Sequence, residues 1–118
     1  MPALASVEQA FYIAGMPTRL KAQAEKVAPF LESLFIQGTN LAAADPAPWD
    51  ETQAWCSRVF KALTRAFVEP TEFTRPFNAA GIEGYPEGLE SPGVKHRRAM
   101  IERLAVLTVA IIAAKAAR

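Results

Sequence analysis

From Leu104 to Ala114 the sequence runs through eleven positions of which only Thr108 is polar. A helix built from that stretch is apolar on every side. Such a helix belongs at the centre of a bundle, in an oligomer seam or in a membrane. A membrane span needs about 20 consecutive apolar residues. Here Glu102 and Arg103 precede the run and Lys115 follows it, so a buried central helix or a dimer seam is the better expectation. Ser91 and Pro92 open the helix, as cap and first helical residue. If α-helical pairing joins two copies, the seam expected is Ile101, Leu104, Leu107 and Ile111.

Upstream, helical periodicity recurs. Ser6 and Gln9 have capping-box spacing, and Val7, Ala10, Phe11 and Ala14 follow at helical intervals until Gly15 and Pro17. Thr18 is placed to cap a second helix, with Leu20, Ala24, Val27, Leu31 and Leu34 on one stripe and Phe30 and Phe35 beside it. The apolar phase continues across Pro29, which predicts a kinked helix, a break at Ala28 being the alternative. Gly38 is the expected C-cap, and 39–48 the expected loop. Asp50 with Gln53 forms another capping-box pattern. The third helix carries Trp55, Cys56, Val59, Phe60, Leu63, Ala66 and Phe67 on one broad face, with Arg58, Lys61 and Arg65 opposite. Pro70 ends it.

Residues 70–93 hold four prolines and four glycines and show no period. Yet Phe73, Phe77, Ile82, Tyr85 and Leu89 are scattered among them, more apolar bulk than a flexible linker carries. The segment reads as an ordered loop, with room for a helical turn around Phe77 to Ala80. Long loops in small domains are often functional. The plainer reading, a cover over the helices, explains the apolar residues as well.

The expected fold is therefore all-α. About four principal helices pack around an apolar C-terminal helix, and a long Pro/Gly-rich loop closes one side. At 118 residues, 51% of them hydrophobic, one domain spanning 1–118 is expected.

Thirteen basic residues against twelve acidic ones leave a formal net charge of +1, which excludes long-range attraction to nucleic acid or acidic membrane by bulk charge. One histidine, His96, and one cysteine, Cys56, supply no metal-ligand spacing and no disulfide. No metal and no cofactor are expected. Cys56 reads as a small core residue rather than a nucleophile, and nothing in the sequence pairs it with His96 as a base. The N-terminus lacks a signal-peptide pattern. A reducing, cytoplasmic location fits. Abundant alanine accompanies GC-rich genomes and fits a bacterial or phage source.

The cluster Lys95-His96-Arg97-Arg98 stands in the first turns of the last helix, where the helix dipole disfavours cations. Either Glu83, Glu87 and Glu90 fold back upon it, or an external anion meets it. The reading that follows is a non-enzymatic protein–protein interaction module, an adaptor, inhibitor or assembly subunit, contacting another protein or a second copy of itself. The expected contact residues are Trp49, Tyr85, Leu89, Arg97 and Arg98. Two alternatives are a nucleic-acid-binding helical protein using residues 95–98, and an enzyme or small-ligand carrier with a pocket under the 70–93 loop.

Overall fold

A computed structural model of the chain describes residues 20–21, 24–81 and 91–117. Four α-helices account for most of them: α1 (Ala24–Ala43), α2 (Trp49–Ala66), α3 (Thr71–Ala79) and α4 (Pro92–Ala116). Among the described residues there is no strand, only an isolated antiparallel bridge between Leu20 and Phe67. The helix expected over Ser6–Ala14, the three glutamates at 83, 87 and 90, Tyr85 and Leu89 lie outside the described residues.

The second expected helix starts later than its stripe suggested. Leu20 and Lys21 are not helical: the Lys21 N–H donates to the Ala66 carbonyl at 2.7 Å, which ties the entry to α1 onto the end of α2. α1 then runs unbroken through Pro29. Proline there removes a donor and frees the Glu25 carbonyl. Both Glu25 and Pro29 are exposed, so water can satisfy what the helix loses. Val27, Ala28, Leu31 and Leu34 form the buried stripe.

Gly38 does not cap α1; it lies inside the helix, which extends to Ala43. Its missing side chain makes room for another ring. A Cβ at this position would run into the indole of Trp55 and a methyl of Leu104. The indole reaches the α1 backbone there and donates from Nε1 to the Leu34 carbonyl at 2.8 Å. Leu34 lies one turn before Gly38, so the absent side chain and the hydrogen bond are one arrangement.

α2 begins at Trp49 rather than with an Asp50 cap. Pro48 is its N-cap residue, and no side-chain capping hydrogen bond forms. Trp55, Val59, Leu63 and Ala66 face the core, and Phe67 follows them into it. Phe60, expected on that face, is exposed.

The Pro/Gly-rich segment contains a whole helix that periodicity missed. α3 carries Phe73 and Phe77 into the core. Phe73 packs on Phe67 with ring centroids 4.5 Å apart, and Phe77 on Trp55 at 5.8 Å. α3 ends at Ala79 with Ala80 as its C-cap, and Gly81 follows, whose φ of +80° suits glycine and whose Cα faces Ala99 too closely for a Cβ.

The Ser91 cap on α4 forms as expected, its Oγ accepting the Val94 N–H at 3.3 Å with Pro92 behind it. α1 packs on α4 and α2, and α3 also packs on both. No described helix is long and apolar enough to cross a membrane.

If Gly38 admits the indole, Gly38→Ala forces Trp55 off its position. The expected cost is about 1–3 kcal/mol, the range for overpacking a core. Urea denaturation followed by tryptophan fluorescence measures it, and an unchanged midpoint would contradict the packing described.

Candidate interaction surface

α4 presents two unlike sides despite its nearly uniform composition. His96, Ala99, Met100, Leu107, Ala110, Ala113 and Ala114 are buried against the rest of the chain. The opposite side is open among the described residues: Val94 is 46% exposed and Ile101 65%, and Ala105 and Thr108, further along the same side, are exposed too. Ile112 on that side is half-buried. Among the described residues, the helix is packed on one side and open on the other.

This geometry corrects the expected dimer seam. Leu107 has no exposed surface and belongs to the chain's own core. Leu104 and Ile111 are half-buried along the flank, and only Ile101 points outward. The four residues do not share an outer face. A seam on the open side would instead pass through Val94, Ile101, Ala105 and Ile112, which lie on one side of the helix.

The basic cluster also divides. His96 is 2% exposed. Its Nε2 lies 2.9 Å from the Leu41 carbonyl, which only accepts, so Nε2 carries the proton. Leu41 is in the last turn of α1, where its carbonyl also accepts the Ala44 N–H at 3.3 Å; His96 thus adds a side-chain donor to the end of α1. Its Nδ1 and the Thr52 hydroxyl are buried with no protein partner among the described residues. Trp49 meets the imidazole edge-on, centroids 5.7 Å apart, and remains 53% exposed.

Arg98 is half-buried and serves the end of α3. Its guanidinium reaches the Gly81 carbonyl at 3.5 Å and Glu102 at 3.9 Å. Glu102 in turn accepts the Gly81 N–H in a short hydrogen bond. One arginine of the cluster is thus held within the chain by Glu102 and the turn after α3. Lys95 and Arg97 are exposed.

Cys56 is half-buried. Burial pushes its thiol up from the ordinary value, and the weaker pulls of the Arg103 guanidinium and a backbone hydrogen bond oppose this. Neither nitrogen of His96 bonds to its sulfur. No group of three or more metal-ligating side chains forms among the described residues. A shallow open groove between α1 and α2 is lined by Gln37, Asn40, Leu41, Glu51, Ala54 and Arg58, and Arg58 donates across it to Gln37 at 3.3 Å.

Of the expected contact residues, Trp49 and Arg97 are exposed, and Arg98 is half-buried beside Gly81. Val94 is the exposed residue that sequence reading missed; its place two residues into the cap turn gave no periodic signal. Comparison of the chain with protein-family models, with curated proteins and with solved structures finds no match.

The state of Cys56 has a consequence for pH. The folded thiol keeps its proton to higher pH than the unfolded one, so between the two values the unfolded chain binds fewer protons. Stability is therefore expected to fall as pH rises through the ordinary thiol range. Thiolate formation followed by ultraviolet absorbance should show a later titration in the folded protein. A folded thiol that titrates with, or before, the unfolded one would contradict the burial described.

Proposed function

We propose that this chain is a non-enzymatic helical interaction module whose contact surface is the open side of α4. The observation that carries the reading is Ile101, 65% exposed on a helix whose other side is already packed. Val94 extends the apolar surface two turns toward the N-terminus, and Arg97 lies between the two in sequence. Exposed apolar surface that recurs along one face marks a protein contact more often than scattered single residues do.

The reading keeps Arg97 from the expected contact set. Trp49 does not join it: it is exposed, but it meets His96 edge-on, and His96 belongs to the packed side of α4. Aromatic and arginine side chains dominate binding energy at protein interfaces. Arg98 contributes less directly, because it already supports the turn at Gly81. A second copy and a different protein both remain partners that the apolar surface suits.

The test is affinity capture from the cell that makes the protein, with the chain and its Ile101→Lys variant run side by side and with nuclease added. A stoichiometric protein partner that survives nuclease and is lost with Ile101→Lys is the expected result. Because Ile101 is largely solvated, the variant should keep its melting temperature within a few degrees. Recovered material that disappears with nuclease would transfer the reading to nucleic-acid binding. A partner retained equally by the variant would place the contact elsewhere.

A further inference from the structure

We draw no further inference here: the strongest candidate, the open apolar side of α4 through Val94, Ile101, Ala105 and Ile112, is the surface already described, and nothing in the structure shows what covers it.

Discussion

The indole of Trp55 holds the structure at the point where all four described helices meet. It sits against the bare Cα of Gly38 on α1, beside Leu104 of α4, and donates to the Leu34 carbonyl. It also packs on Phe77 of α3. A buried indole N–H without an acceptor costs free energy comparable to a lost hydrogen bond, so the ring cannot slide along α1 without penalty. That fixes the register of α2 on α1. The same contact fixes the rotation of α4 by placing Leu104 on the Gly38 side. With α4 so turned, Leu107 goes inward and Ile101 goes outward.

A second set of contacts secures the ends of the helices. His96 adds a donor to the last turn of α1 at the Leu41 carbonyl. Arg98 and Glu102 grip the turn at Gly81 from opposite sides of its peptide groups. The first turns of α4, through His96, Arg98 and Glu102, therefore serve its neighbours with their polar groups, and its apolar residues divide between the core and the open side. Residues 96 and 98 act within the chain, whereas Lys95 and Arg97 face outward. The cationic start of α4 is thus partly a structural device and partly a surface.

The helical class was legible because long stretches carry a 3.6-residue period and local stop signals. The Ser91-Pro92 start was legible because cap and first-position proline are chemical requirements of a helix end. Other features were hidden for physical reasons. α3 is nine residues long with Pro76 inside it, so neither periodicity nor proline avoidance reveals it. Only the aromatic pair Phe73 and Phe77, one turn apart, carried the signal. Gly38 resembles a C-cap in sequence, since a glycine that admits a ring from another helix looks the same as one that ends its own. Leu20 sits in phase with the α1 stripe yet pairs with Phe67, a nonlocal bridge that local pattern cannot express. The orientation of α4 was the largest gap. A helix apolar on all sides has no preferred phase, so sequence could not tell that Leu107 is core and Ile101 is surface.

The division of α4 into a packed side and an open side is the claim on which the functional reading rests. The most direct measurement compares Leu107→Ala and Ile101→Ala by equilibrium urea unfolding at low protein concentration. The account expects Leu107→Ala to cost about 2–5 kcal/mol, as truncation of a fully buried leucine does. It expects Ile101→Ala to change stability by less than about 1 kcal/mol, since little of that side chain leaves water on folding. Equal losses at both positions, or a larger loss at Ile101, would mean that α4 is turned differently and that its open side lies elsewhere.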